Sequence, residues 1–586
     1  MLRSQRGINT SMNWRSLVAR RVAVTVALLG PISSLASWWA QAPHGPEVAV
    51  IVRAAQGDGR DVAADVTAVG GHVSRVIGVV HGVLAQVPLE AVAQLRQKPG
   101  IIDVSPDGAV QLTATTTYDP TTDAGSIYNT TLMSGAQAYW NAGWTGRGVD
   151  VAVIDTGVAP VDGMSASGKL LDGPDVSFDS QAPNLRHLDA FGHGTHIAGI
   201  IAGRDDAAVS GHYAGDSADF IGMAPDARII SIKVADSHGY TDVSQVLAAI
   251  DWVVQHHADP GLDIRVLNLS FGTDSYQSYL LDPLSFAVET AWHAGIVVVA
   301  AAGNSGFASQ GVEDPASNPY LITVGAADTH GTTATSDDTV ASFSSNGNGS
   351  RNPDLVAPGI HMESLRVANS YIDATYPSGY ISDRFFRGSG TSQAAAVVSG
   401  AAALLLQQHP LLSPDQVKAM LTGTATKLSG QSAAAQGAGE INLKKTLTAS
   451  PPLLAAQLYV ASTGLGTMEG ARGSVHLSWG GVQLQGEQDI FGHAMSTSLL
   501  ATALKSATAW VGGVFNGVAW TGSGWVGSQW ATTTWTSSSW SSSSWSSSSW
   551  SSSSWSSSSW SSSSWSSSSW SSSSWSSSSW SSAAWS

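Results

Sequence analysis

Four short stretches of the chain carry side chains able to do covalent chemistry. The apolar run 149–154 leads straight into Asp155-Thr156-Gly157, and His193 opens His193-Gly194-Thr195-His196. Asn304 stands between Gly303 and Ser305, and Ser392 lies in Gly388-Ser389-Gly390-Thr391-Ser392-Gln393-Ala394. A carboxylate, an imidazole and a hydroxyl are the parts of an activated nucleophile, and an amide can donate to an oxyanion. Each residue also has a bland explanation: an acid capping a helix, an Asn in a turn, a Ser at an N-cap. Two rival chemistries fit less well. Asp-Thr-Gly suits a paired-carboxylate peptidase, but no second Asp-Thr-Gly or Asp-Ser-Gly occurs to share the proton. His193 and His196, three apart on one helical face, lack an evident third metal ligand nearby. The chain has no cysteine, which excludes thiolate catalysis and cysteine-bound metals.

The elements that must position these groups alternate. Short apolar runs at 149–154, 229–234, 266–269, 296–300 and 321–324 read as strands buried on both faces. Helical spacing occupies 243–254 and 286–293, and a small-residue helix follows at 395–408. The fold class is therefore α/β, a parallel sheet with helices on both faces, whose reactive groups gather at the carboxyl ends of the strands. Asp155 stands at such an end. His193 and Ser392 begin helices, where the positive end of the dipole and free backbone N–H groups favour a developing anion.

Taken together, VAVIDTGV, GHGTHIAGIIAG, AAAGNSG and GSGTSQAA resemble the four signature segments of the subtilisin-like (subtilase) serine peptidases, over residues 140–447. The order Asp, His, Ser is also that of the family. The resemblance implies a subtilisin-like parallel-sheet domain that hydrolyses peptide bonds through an acyl-enzyme. In it Ser392 is the nucleophile, His193 the base and acid, Asp155 its orienter and Asn304 an oxyanion donor. It implies no cofactor for the chemistry. One departure stands out: Gln393, Ala396 and Val397 occupy places where the family carries Met and a Pro-His pair. Ser270, Phe271 and Gly272 are similar to the strand that pairs with an extended peptide substrate. Counting back from Pro315 puts Glu313 at the floor of the P1 pocket, where it would favour a basic P1 residue or else be a solvated loop acid. Calcium commonly stabilises the family, but the loop that usually supplies its tight site is not recognisable in 204–222, where Asp205, Asp206 and Asp216 are the candidate ligands.

Around this domain the chain divides further. Its 586 residues bear a net charge of −16, without the basic footprint that nucleic-acid binding needs. Residues 1–42 read as a secretory signal, with five arginines before an apolar stretch and small residues after it. The protein is therefore expected to be secreted, the alternative being an uncleaved anchor that holds it at the cell surface. Residues 43–117 resemble the family's inhibitor-like propeptide, an α+β module of order strand, helix, strand, strand, helix, strand, with strands at 47–53, 72–80, 83–87 and 101–104. The resemblance implies a zymogen whose own propeptide blocks the cleft. The peptidase domain spans 118–449, a small β-rich segment 450–509, and a Ser/Trp pentad tail 510–586. In that tail an aromatic recurs every five residues, a spacing that matches neither a strand face nor a helical stripe. Coil, a pentad solenoid, or a sticky segment contacting polysaccharide or a cell surface through Trp faces are the three readings of it. The rival reading of the whole chain is a surface adhesin with a protease-like scaffold.

Overall fold

Branched residues and breaks dictate the N-terminal module. The computed structural model describes residues 47–55, 62–107, 118–182, 184–307, 311–479 and 482–520. In it Glu47–Ala54 forms β1, Ala63–Ala68 α1, His72–Ile77 β2, Gly82–Pro88 β3, Val92–Leu95 α2 and Ile101–Pro106 β4. The second strand ends at Ile77 rather than at 80, because 78–80 tighten into a 3-10 turn closed by left-handed His81 (φ 51°). The four strands are antiparallel in the order β2-β3-β1-β4 and enclose Val50, Val52, Val66, Val83, Val87 and Leu95. Such a double βαβ sandwich is the module expected from the sequence. It lies within one compact unit, Met1–Thr115, and the rest of the chain, Thr116–Ser586, forms another. The expected signal and the pentads from Trp525 onward fall outside the described residues.

In the second unit the strands of the main sheet are β5 (Asp150–Asp155), β6 (Leu170–Asp175), β7 (Arg228–Lys233), β8 (Ile264–Leu269), β9 (Val297–Ala301), β10 (Ile322–Asp328), β11 (Thr339–Val340) and β12 (Leu355–Pro358). They form one sheet of order β11-β10-β9-β8-β5-β7-β6, with β12 also paired to β10. Every pairing is parallel except that of β10 with β11. From β5 the chain builds β7 and β6 on one side, then β8, β9 and β10 on the other. The order reverses at β5, and the crevice outside such a reversal is where open α/β sheets hold their reactive groups. β6 and β12 escape a periodicity reading, since β6 contains Gly173-Pro174 and β12 is four residues ending in Pro358.

Up to Gln408 the helices are α3 (Ile127–Ser134), α4 (Ala136–Asn141), α5 (His193–Ala202), α6 (Val243–His256), α7 (Pro283–His293), α8 (Tyr371–Thr375) and α9 (Thr391–Gln408). α9 is buried continuously from Thr391 to Leu406, so it is small or apolar all round and runs through the core. Ala396 and Val397, fully buried within it, are packing residues.

The segment 450–509 is not the β-rich unit expected from its turn signals. It contributes helices Met468–Arg472 and Thr497–Lys505 and a hairpin of two-residue strands. Met468, Leu477, Leu484 and Phe491 join the same core as the sheet. What ties it down is non-local: Arg472, fully buried, places Nε 2.7 Å from Oδ1 of Asp242, the N-cap of α6. The first pentads are also part of this body. Trp510–Val511, Val514–Phe515 and Val518–Ala519 form a three-stranded meander. Its turns have positive φ at Gly512 (56°), Gly513 (87°), Asn516 (51°) and Gly517 (75°), the tight hairpin type that follows strand twist. Trp510, Phe515 and Trp520 are all buried. A spacing of five thus does fit one face, once a two-residue turn separates successive short strands.

Candidate active site

Asp155 is the last residue of β5, in register with Lys233 of β7. Thr156 N–H donates to its Oδ1 at 2.8 Å, and both carboxylate oxygens face His193 Nδ1, at 2.9 and 3.0 Å. His193 is the first residue of α5, and its position depends on Gly192 before it. At φ 105° a Cβ on Gly192 would lie 2.5 Å from Ser370 Oγ, so only glycine lets the helix start there. Ser392 is the second residue of α9, in the first turn, where the backbone N–H groups have no partner within the helix. Its Oγ donates to the Ser270 carbonyl (3.0 Å), and Ser270 Oγ donates to the Ser392 carbonyl (3.2 Å). This reciprocal pair fastens the start of α9 to the end of β8. Asp155, His193 and Ser392 are all buried.

Asn304 follows β9. Its Oδ1 accepts from Thr391 N–H (2.9 Å) and Thr391 Oγ1 (3.0 Å). Two donors on one oxygen settle the amide orientation, so Nδ2 is turned away from Thr391 as the outward donor. Thr391 therefore aims Asn304 from the position next to Ser392, a role its place in Gly-Thr-Ser alone does not reveal.

Asp189, four residues before His193, is a further organiser that the sequence reading passed over. Its Oδ1 accepts from Thr156 Oγ1 (2.8 Å) and Gly192 N–H (2.6 Å), and its Oδ2 from Thr195 N–H and Oγ1, both at 2.7 Å. Thr156 Oγ1 in turn accepts Gly194 N–H (2.9 Å). The carboxylate thus binds the residue after Asp155 to the residues on either side of His193. Burial pushes its pKa up, although the Thr195 hydroxyl, the Gly192 and Thr195 N–H groups and the Lys233 charge oppose the shift. Beneath them Lys233 Nζ donates to the Thr156 carbonyl (2.7 Å) and pairs with Asp179 (3.1 Å), both fully buried. Burial works against the Lys233 charge, but Asp179, Asp175 and Asp189 outweigh it and hold the pKa above normal.

Phe271 and Gly272 extend the end of β8. Thr273 and Asp314 exchange backbone hydrogen bonds (2.8 and 2.9 Å), which lays Glu313 against Gly272. Glu313 is buried, not a solvated loop acid. A Cβ on Gly272 would come 2.8 Å from its Oε2, and one on Gly303 would come 2.5 Å from its Oε1. The carboxyl therefore occupies the slot between two glycines, one from each segment flanking Ser392. Burial pushes its pKa up to about 7, with Ser305 Oγ and the Asn304 N–H pulling the other way.

Burial, then the neighbouring His193, lowers the His196 pKa to about 3. Among the described residues no group of three or more His, Cys, Asp or Glu side chains converges as a ligand set. Asp205 is taken by Arg384 and by Phe220 N–H (3.0 Å), Asp216 caps Ala218 N–H (2.9 Å), and Asp206 is exposed.

Comparison with known proteins decides the family. The model of the subtilase family matches residues 146–439, half of the chain, and a putative peptidase inhibitor domain matches residues 20–107. The chain belongs to the subtilase family. This subtilase is 40% identical to serine protease AprX of Bacillus subtilis (strain 168), over 52% of its own length and 67% of the relative's. It is 36% identical to subtilisin DY of Bacillus licheniformis, over 49% of its length and 86% of the relative's. A crystal structure of a cold adapted subtilisin-like serine proteinase aligns at 28% identity and a TM-score of 0.38, covering 51% of this chain and 90% of that one. The subtilase is thus a subtilisin-like serine peptidase, acting on polypeptides and preceded by an inhibitor-like propeptide domain. Among the described residues no helix is long and apolar enough to cross a membrane.

Proposed function

We propose that this subtilase is a secreted endopeptidase, made as a zymogen, in which Ser392 attacks the scissile carbonyl while His193 takes its proton and later returns it to the leaving amine. The observation that carries this reading is the two-oxygen grip of Asp155 on His193 Nδ1. A proton held on Nδ1 leaves the lone pair on Nε2, and Asp155 is placed to stabilise the imidazolium that forms. In this reading the Ser392 hydroxyl, which rests on the Ser270 carbonyl, turns to His193 Nε2 during the reaction. Asn304 Nδ2 and the Ser392 N–H receive the oxyanion. Ser270, Phe271 and Gly272 bind the substrate backbone, and Glu313 selects a basic P1 side chain. Secretion follows from the basic and apolar leader, and the inhibitor-like module keeps the enzyme latent until it is removed. The Ser/Trp tail contacts polysaccharide or a cell surface by stacking Trp faces.

Casein hydrolysis tests the central claim. Cleared zones should vanish with a serine-directed covalent inhibitor, and Ser392→Ala should lower kcat by roughly 10⁶. Clearing that survives both would overturn the triad. Loss of binding to polysaccharide on truncation after Trp520 tests the tail separately, and unchanged binding refutes its role.

A further inference from the structure

Away from the catalytic groups, three helices end around one cavity of about 520 Å³. α6 brings Val254 and His257 to it, α7 brings Phe286 and His293, and the helix Thr497–Lys505 brings Leu504 and Lys505. Ala461, on the stretch that follows Pro452, lines another side. Each helix presents its carboxyl end, where the last carbonyls lack partners within the helix and the dipole is negative. The buried Glu289 carboxylate adds to this; it accepts the Ser462 N–H (3.1 Å) and lies 3.7 Å from His293 Nε2. Lys505 is exposed beside them. Such a cavity suits an apolar group that donates hydrogen bonds and carries no negative charge. An indole is that group: large, flat, donor-only at its nitrogen, and able to offer its face to an ammonium.

The chain itself supplies indoles at this place. The backbone N–H of Trp510, the first pentad aromatic, donates to Asp251 Oδ2 of α6 (2.6 Å), and Val254 and His257 follow within two turns of that helix. Trp510, Phe515 and Trp520 are all buried, and Trp520 Nε1 donates to the Phe515 carbonyl (2.8 Å), so every described aromatic of the series is docked. The pentads just beyond repeat their pattern: Val526-Gly527 follows Trp525 as Val511-Gly512 follows Trp510, and pure Ser spacers begin only after Trp540. Residues 521–530 carry no charge. Ten extended residues reach about 33 Å from Trp520, several times the roughly 9 Å rise of helix from Asp251 to His257.

We propose that the segment 521–530 docks on this cavity through the indoles of Trp525 and Trp530, with ring faces against Phe286 and Lys505 and the N–H groups on the helix-end carbonyls. The base of the tail is thereby tied to the peptidase body, whatever the later pentads bind.

The test uses the full chain carrying Ser392→Ala, so that self-digestion does not confuse the readout. Because the chain has no cysteine, a disulfide between two introduced thiols reports proximity alone. Ala461→Cys, at an exposed position, is paired with Ser528→Cys, between the two indoles. In a glutathione buffer this disulfide should be favoured about 10-fold or more over the same pair carrying Trp525→Ser and Trp530→Ser, since the tether is identical and only the indoles are gone. Trp555→Ser with Trp560→Ser should leave it unchanged. In the chain without introduced thiols, amides of 502–507 should exchange hydrogen about 3–10-fold faster once Trp525 and Trp530 are replaced. An unchanged disulfide yield or unchanged exchange on loss of those two indoles would overturn the docking. An equal loss from the distal double substitution would mean that any pentad serves and would overturn the assignment to 521–530.

Discussion

Glu313 offers the sharpest quantitative test. Its carboxyl lies between Gly272 and Gly303, and burial carries its pKa from 4.5 to about 7. That rise is a difference of roughly 3 kcal/mol between its two protonation states. It implies that the pocket disfavours the anion until a cation enters. A P1 Arg or Lys would supply that cation, and a hydrogen bond between charged partners is worth about 1.5–3 kcal/mol, or roughly 10–150-fold in kcat/KM. Below pH 7 Glu313 is mostly neutral and the advantage should shrink; above pH 7 it should reach its full size. The assay is a set of peptide p-nitroanilides that differ only at P1, measured from pH 5.5 to 9. Taking the Arg-to-Leu ratio at each pH cancels every pH dependence that the two substrates share. The ratio should climb through about pH 7 in the native enzyme and be flat and near unity in Glu313→Gln. The same substitution has a signature in stability. The folded pKa exceeds the unfolded one, so the unfolded chain binds fewer protons between pH 4.5 and about 7. Stability contributed by this group therefore falls as pH rises through that window, and Glu313→Gln should remove the slope. A ratio independent of pH and unchanged by Glu313→Gln would refute the reasoning, and a preference for small P1 residues would mean that the carboxyl merely plugs the slot.

Other expected outcomes follow from contacts between distant parts of the chain. Asp189→Ala strips the acceptor from four donors around Asp155 and His193, so kcat should fall about 10–10³-fold with KM little changed. Asp189→Asn, which keeps one oxygen, should recover part of it, and equal loss in kcat and KM would contradict a positioning role. Arg472→Met leaves Asp242 buried and unpaired and should cost about 3–5 kcal/mol in urea unfolding. Adding Asp242→Asn should restore most of that loss. Phe515→Ala, at a fully buried position of the meander, should cost about 3–5 kcal/mol by the same measurement. A loss below 1 kcal/mol would show that the meander is not part of the core.

The residues with catalytic chemistry were legible because each is announced locally. An apolar strand running into Asp155-Thr156-Gly157 and a small-residue helix after Ser392 are signals carried by a few adjacent positions. The α+β module at the N-terminus was equally plain, since β-branched runs and glycine breaks set its strands one after another. Where local signals were misread, a distant partner was the reason. The turn-rich stretch after Pro452 resembles short strands until Arg472 finds Asp242 and Ser462 N–H finds Glu289. The pentad spacing alone is incompatible with a strand, whose face repeats every second residue; left-handed two-residue turns between successive short strands reconcile the two. The pairing of Asp205 with Arg384 likewise has no local signal. The sequence by itself determined which side chains could attack, transfer a proton and hold an anion, and that a parallel sheet would carry them. Only the tertiary structure decided that Thr391 turns Asn304, that Asp189 joins the two halves of the acid–imidazole pair, that Glu313 is buried between two glycines, and that three helix ends meet around one cavity. Each of these is a contact between segments far apart in the chain, and hydrogen bonding and burial across such distances leave no periodic trace in a single sequence.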